Sequence, residues 1–300
     1  MAYHYHYIAA LMELTPHLGI GDLLLIKMKE ISNDLEIRQI NINLGLIKFY
    51  SGNANVRLNF VSSLIKVLFP NCCINSIEGP YSSSDFYNFM NSYNLNQIYI
   101  YNNIGINNVN IDEKHNDCII FHTKCRHDGL MDQFINNSLP SLNAFFANFK
   151  TTKTILILGE RVIGSNYETL HHKTISLYDN LLTLKNNNNV IDLTHECELT
   201  DGNSNFNMFL NDIELINKAA CNVTFGIGGP YCMCIAFSER NVSFVPLYKS
   251  SYHIKTMIET MKVTNSFTET IHELNARINQ FVDHSVADLC SNATCHLMSV

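Results

Sequence analysis

The sequence predicts an α/β protein of two doubly wound halves, each a parallel sheet with crossover helices. Three observations carry that reading. Strand-like apolar runs alternate with helix-like amphipathic runs along most of the chain, which is the pattern of parallel sheets. The alternation lapses across the polar stretch 102–116 and restarts with Asp117-Cys-Ile-Ile-Phe-His122. Glycine-rich turns follow several strand candidates, at the sheet edge where open α/β proteins bind ligands.

In the first half, Tyr7 to Leu14 is a strand candidate, closed by Pro16 and the Gly19–Gly21 turn. A helix is expected from about Asp22, because Leu23, Leu24, Ile26, Met28 and Ile31 form a broad apolar face and an Asp favours a helix start. Ile40 to Leu44 alternates as a strand, Val56 to Phe69 reads as a helix stopped by Pro70, and Cys72 to Ile77 is a strand. Phe86 to Tyr93 is helical and Gln97 to Tyr101 extended; 102–116 suits a linker.

The second half opens on the buried-strand run ending at His122, followed by a helix over Leu139 to Phe149 and the strand Lys153 to Leu158. A helix over Ser176 to Leu184, a strand over Asn189 to Leu193 and a helix over Asn207 to Ala220 come next. Asn222 to Gly226 is extended, Met233 to Phe237 helical, Val242 to Tyr248 extended and Phe267 to Val282 helical. The expected domains are 1–115 and 116–284, each Rossmann-like, with a loose tail over 285–300.

Composition narrows the function classes. With 46% apolar and 16% charged residues among 300, the chain has the balance of a folded protein. The net charge is −7 and no Lys/Arg stripe is present, which argues against a nucleic-acid partner. No run reaches the roughly 18 apolar residues of a transmembrane span, and the first residues make a poor signal peptide. The ten cysteines lack any C-x-x-C spacing, so buried free thiols in a reducing, cytoplasmic setting are expected. The sequons at Asn136, Asn222, Asn241 and Asn292 then carry no weight. Asparagine makes up about one residue in eight, well above ordinary usage, so Asn-rich stretches are discounted as signals.

Four turns could carry chemistry. His17-Leu-Gly-Ile-Gly-Asp22 lets the backbone approach a ligand at a helix start, through Gly19 and Gly21, and places Asp22 beside it. Read as structure alone, Asp22 is a helix cap. Thr123, Lys124 and Arg126 follow a buried strand and combine a hydroxyl with two cations, a set suited to a diphosphate or, without a ligand, a solvated basic loop. Glu160 and Arg161 follow Gly159 at another strand end, where an ordinary surface ion pair is the plain alternative. Gly226-Ile-Gly-Gly-Pro230 leaves the backbone bare before a helix, so Gly228, Gly229 and Pro230 are ligand-facing candidates.

Other motifs are missing. Neither G-x-G-x-x-G nor a P-loop nor a G-x-S-x-G elbow occurs. His4, His6, His171 and His172 have no acidic partners that would complete a metal set, so no metal site is expected.

In order and spacing, His17-Leu-Gly-Ile-Gly-Asp22, the strand ending in His122-Thr-Lys, Ile155-Leu-Ile-Leu-Gly159 and Gly226-Ile-Gly-Gly-Pro230 resemble the heptosyltransferase-like glycosyltransferases. The resemblance spans residues 5 to 250 and implies a GT-B fold with the two sheets facing a central cleft. It implies an N-terminal acceptor domain, on which His17, Gly19 and Gly21 would touch the acceptor, and a C-terminal nucleotide-sugar domain. It further implies metal-independent transfer of a hexosyl- or heptosyl-type sugar, with inversion, from a nucleotide-sugar to a glycan or other hydroxyl acceptor, without a cofactor. Asp22 maps onto the general base, Thr123, Lys124 and Arg126 onto the donor-phosphate loop, and Gly228, Gly229 and Pro230 onto the nucleotide-sugar turn. Ile227 and Cys232 stand where the family usually has Asp and His, which motivates the alternative of a non-catalytic nucleotide-binding or scaffold protein.

Overall fold

Two continuous apolar runs and one alternating strand form the centre of the larger sheet. Ile119–His122, Ile155–Leu158 and Cys221–Phe225 are buried along their whole length, as strands covered on both faces must be. The computed structural model describes residues 2–7, 20–43, 54–77, 92, 115–123, 129–162, 177–197, 202–226, 229–246 and 267–283. The expected helix at 86–93, strand at 97–101 and linker at 102–116 fall almost wholly outside these residues, and Gly19 and the tail over 285–300 lie outside them.

In chain order the elements are β1 (Ala2–Tyr7), α1 (Ile20–Ser32), β2 (Glu36–Asn43), α2 (Ala54–Leu68) and β3 (Cys73–Ile77). There follow β4 (Ile119–His122), α3 (Gly129–Asn148), β5 (Ile155–Leu158), β6 (Glu160–Val162) and α4 (177–182), which tightens into a 3₁₀ turn at Thr183–Asn186. Then come β7 (Val190–Asp192), β8 (His195–Cys197), α5 (Gly202–Lys218), β9 (Cys221–Phe225), α6 (Gly229–Phe237), β10 (Asn241–Phe244), β11 (Phe267–Thr268) and α7 (Ile271–Asp283). No helix among the described residues is long and apolar enough to cross a membrane.

Among the described residues all pairing is parallel. The first half forms a three-stranded sheet in the order β1-β2-β3. The second forms a six-stranded sheet in the order β11-β10-β9-β4-β5-β7. Counted from β4, the larger order is 3-2-1-4-5-6, the doubly wound arrangement in which the chain runs outward from the centre twice. The α/β class with parallel sheets is therefore as expected.

Three differences from the sequence reading have clear causes. A strand forms at Ala2–Tyr7, where none was expected before Tyr7, because pairing with β2 recruits residues of weak alternation such as His4 and His6; residues 8–14 of the expected strand lie outside the described residues. α3 begins at Gly129, ten residues before the expected start at Leu139, and carries Pro140 in its interior. A Pro so placed reads locally as the first turn of a new helix. The short β6, β8 and β11 escaped the pattern because strands of two or three residues offer no periodicity to detect.

Helices cover both faces of the large sheet. On one face Leu142, Phe146 and Phe149 of α3, Leu177 and Leu181 of α4, and Leu274 and Ile278 of α7 pack over Ile119, Phe121, Ile157, Val223 and Phe244. Phe146 meets Phe121 and Phe225 edge-on at 5.9 and 6.0 Å, the arrangement that ring quadrupoles favour. On the other face α5 lays Leu215 and Ala219 on Ile120 and Leu156.

The opposite side of α5 looks away from that sheet. Phe209, Ile213 and Ile216 join one continuous apolar cluster with α6, α1, α2 and β2. Phe60 of α2 packs edge-on against Phe206 and Phe209 of α5, at 5.6 and 5.8 Å. α1 is buried around most of its circumference, at Leu23, Leu24, Leu25, Ile26 and Met28, and packs along α6. Along α1 and α6 the halves meet as packed helices, so an open cleft over that stretch, as the sequence reading pictured it, is replaced by core. The reason is that both helices carry apolar residues on the sides turned away from their own sheets, and those sides bury each other.

The asparagine discount also needs correcting. Asn222 Nδ2 donates to Ile216 O at 3.0 Å, and Asn241 Nδ2 donates to Cys234 O at 3.0 Å and to Ser238 O. These amides satisfy carbonyls that the last turns of α5 and α6 leave open. Both residues are buried, which closes two of the four sequons to modification in the folded protein. Of the six described cysteines, Cys118, Cys221, Cys232 and Cys234 are buried, as expected, whereas Cys73 is exposed on the edge strand β3.

Candidate functional site

The direction of winding reverses between β4 and β9. From β4 the chain moves to β5 and β7 on one side, then returns through α5 to β9, β10 and β11 on the other. Loops leaving neighbouring strands in opposite directions open a crevice at the carboxyl edge, and such reversal points are where open α/β sheets bind ligands. The loop after β4 begins with Thr123, and the turn after β9 is Gly226 to Gly229. Two of the four sequence candidates thus share one location.

Gly226 has φ +84, a left-handed conformation that favours glycine. Both of its backbone polar groups are taken: its N–H donates to Phe244 O at 2.9 Å, and its carbonyl accepts the Ser243 hydroxyl at 2.7 Å. Gly229 starts α6, and a Cβ there would meet nothing within 4 Å. Gly226 is therefore the anchor of the turn, and Gly229 its open end, at the helix terminus whose dipole favours an anion.

Thr123 is fully buried, and its hydroxyl has no hydrogen-bond partner among the described residues. Its N–H is held by Leu158 O at 2.8 Å. Its Oγ1 crowds the bare Cα of Gly159, where a Cβ would lie only 2.2 Å away. Gly159 itself has φ +136, which kinks the chain between β5 and β6. A buried hydroxyl without a partner costs about 1–3 kcal/mol, so Thr123 Oγ1 marks a place where a donor or acceptor is wanted.

Gly21, in the first turn of α1, reaches the same region from the other half. A Cβ on Gly21 would come within 3.5 Å of Gly229 Cα and 3.3 Å of Cys232 Sγ. The amino ends of α1 and α6 therefore adjoin; a methyl at Gly21 would press Cys232 Sγ by a few tenths of an ångström and make ordinary contact with Gly229 Cα. Asp22 lies in the first turn of α1. The structure thus brings Gly21 to Gly229 and Thr123 to Gly159. Glu160 and Arg161 lie on β6, paired with His195 and Glu196 of β8, and Pro230 is in the first turn of α6. His17, Lys124, Arg126, Gly228 and Ile227 lie outside the described residues, as do His171 and His172.

Beneath the turn runs a buried polar layer that the motif reading passed over. His122 Nε2 faces Cys234 Sγ at 3.3 Å. Burial lowers the His122 pKa from 6.5 to about 4, with the Asn222 side chain acting weakly in the other direction. The imidazole is therefore neutral near pH 7. Burial likewise pushes the Cys234 thiol well above 9.0 and Cys118 up to about 12, so these sulfurs are protonated structural groups rather than nucleophiles. At the end of β7, Asp192 bonds Tyr178 OH and accepts from Thr194 N–H and Oγ1 at 3.0 and 2.6 Å, fixing the turn into β8. A signal for the polar layer was present: Asn222 and Thr224, and Asn241 and Ser243, recur every second residue on otherwise buried strands.

Among the described residues no three His, Cys, Asp or Glu side chains are grouped so as to hold a metal ion. Compared with family models, with curated proteins and with solved structures, the chain finds no match in any of the three.

Proposed function

We propose that the chain is a metal-independent glycosyltransferase of GT-B type, binding the diphosphate of a nucleotide-sugar at the β4/β9 reversal point. One observation carries the reading: the bare, open amino end of α6 at Gly229 adjoins the amino end of α1 at Gly21, beside Asp22. Donor and acceptor would be held by opposite halves of the molecule, with the reacting atoms at the outer side of the two adjoining helix termini.

On this reading Asp22 takes the proton of the acceptor hydroxyl while its oxygen attacks the anomeric carbon. The bond from that carbon to the diphosphate breaks, and the leaving group departs with the electron pair. Backbone amides at the start of α6, together with Lys124 and Arg126, offset the charge it gains. Thr123 Oγ1 would supply a further hydrogen bond to the donor. Exclusion of water by the packed junction would limit hydrolysis of the donor.

Asp22→Asn is expected to lower turnover by about 10²-fold or more while leaving donor affinity nearly unchanged. Nucleotide-sugar panels with product detection by mass spectrometry measure it, and equal turnover removes Asp22 as the base. Gly229→Ala tests the donor side. Because a Cβ there meets nothing within 4 Å, the variant folds normally, yet the methyl occupies the space in front of the helix terminus. Calorimetry is expected to show nucleoside-diphosphate affinity reduced by about tenfold or more; wild-type affinity would move the phosphates elsewhere.

A second reading, a nucleotide-binding protein without transferase activity, is favoured by Cys232. It stands where the family usually has His, and it is buried against Gly21, presenting a protonatable side chain to neither ligand. Nucleotide binding without sugar transfer to any acceptor of the panel would select it.

A further inference from the structure

The open end of the glycine turn is useful to a ligand only if its direction is fixed, and the turn does not fix itself. Gly226 sits in a left-handed conformation that an unrestrained glycine adopts no more readily than several others. What holds it is β10. Phe244 O accepts the Gly226 N–H at 2.9 Å, and the Ser243 hydroxyl donates to the Gly226 carbonyl at 2.7 Å. Ser243 is fully buried, so water does not compete for that bond. Further along α6, Asn241 of the same strand holds the Cys234 and Ser238 carbonyls, and His122 of β4 faces Cys234 Sγ. The helix is thereby tied down at its carboxyl end, its middle and the turn that precedes it.

Building on the proposed function, we infer that Ser243 is a positioning residue for the ligand-binding turn: its hydroxyl holds Gly226 so that the amides at the start of α6 point at the donor diphosphate. Ser243 touches no ligand in this account. It acts by removing alternative directions of the turn, so that binding does not have to order the loop first. Of the two buried hydroxyls on this strand pair, at Ser243 and Thr268, that of Ser243 bonds Gly226. Thr268 Oγ1 of β11 donates instead to the Ser243 carbonyl at 3.3 Å, on the side away from the turn.

That difference supplies the control. Ser243→Ala and Thr268→Val each delete one buried hydroxyl from the same pair of strands, but only the first releases Gly226. Affinities for UDP, ADP and GDP are measured by calorimetry well below each variant's melting temperature, alongside Ser243→Thr, which keeps the hydroxyl. Hydrogen exchange at the amides of the turn and of Tyr231 and Cys232 is followed in parallel. Ser243→Ala is expected to weaken the best-bound nucleotide by about tenfold, the scale of one lost hydrogen bond, and to speed exchange in the turn. Thr268→Val is expected to leave both near wild type, and Ser243→Thr to recover most of the affinity. Binding by the unaltered protein with equal affinity in Ser243→Ala overturns the inference alone. Equal losses in Ser243→Ala and Thr268→Val also overturn it, since general loosening would then explain both. If the unaltered protein binds none of the three nucleotides, the functional reading falls and the positioning role falls with it.

Discussion

Gly159→Ala is expected to lower the unfolding free energy by about 3–5 kcal/mol. Two separate effects add. The φ of +136 at this position is a conformation that L side chains rarely adopt, worth roughly 1–3 kcal/mol of strain. The new methyl would also sit 2.2 Å from Thr123 Oγ1, 3.3 Å from Thr123 N and 3.4 Å from Thr123 Cβ, and overpacking of that kind costs about 1–3 kcal/mol. Only the hydroxyl part can be relieved. Thr123→Ala alone removes a buried group with no partner among the described residues, so its own cost is below about 1 kcal/mol. Combined with Gly159→Ala it is expected to recover the clash and leave the strain, a coupling of about 1–3 kcal/mol. Urea denaturation of the four proteins closes the cycle. A loss under 1 kcal/mol for Gly159→Ala, or strict additivity of the pair, would mean that Thr123 does not overhang Gly159.

Stability is expected to fall as pH drops from 6.5 towards 4, by about 3 kcal/mol on account of His122 alone. The folded protein keeps this imidazole neutral, with a pKa of about 4 against 6.5 for an unperturbed side chain, because the site is dry. Between those values the unfolded chain binds a proton that the folded chain refuses, which favours unfolding. The contribution is whole above pH 6.5 and is lost as pH falls through the folded value. Cys234, the group facing Nε2, is protonated throughout this window and adds nothing to the slope. Carboxylates and other histidines contribute to the total, so the measurement is a difference. Wild type and His122→Gln are unfolded in denaturant at half-unit pH steps, and the wild-type curve is expected to be steeper between 6.5 and 4. Parallel curves would place His122 in contact with water.

Much of this architecture is legible in short stretches of sequence. The α2 helix was expected over Val56 to Phe69 and spans Ala54–Leu68, because its apolar residues recur on one face and Pro70 cannot continue a helix. β4 and β5 were equally clear, since unbroken apolar runs of four residues between polar turns have few other uses, and β9 was legible from its alternation. The glycine turn at 226–230 reads as bare backbone before a helix; α6 does begin at Gly229, where a Cβ would meet nothing within 4 Å, while the backbone groups of Gly226 are taken by β10. What the reading missed in the site has a single character. Ser243, Asn241 and His122 act across strands, through partners 17, 7 and 112 residues away. No local motif encodes such partners; only the period-two recurrence of polar residues on buried strands hints at them.

Local chemistry alone determined most of the longer strands and helices, that the large sheet is parallel and covered, and that glycines stand at the strand ends. These follow from side-chain periodicity and backbone sterics, which act within a turn or two of chain. Tertiary structure alone decided the strand order β11-β10-β9-β4-β5-β7, and with it the crevice beside β4 and β9. It also decided that Gly21 meets Gly229, some two hundred residues apart in the chain, across a shared apolar core. Many strand orders satisfy the same hydrophobic pattern, and the choice among them rests on how whole helix faces bury one another, an energy summed over distant residues.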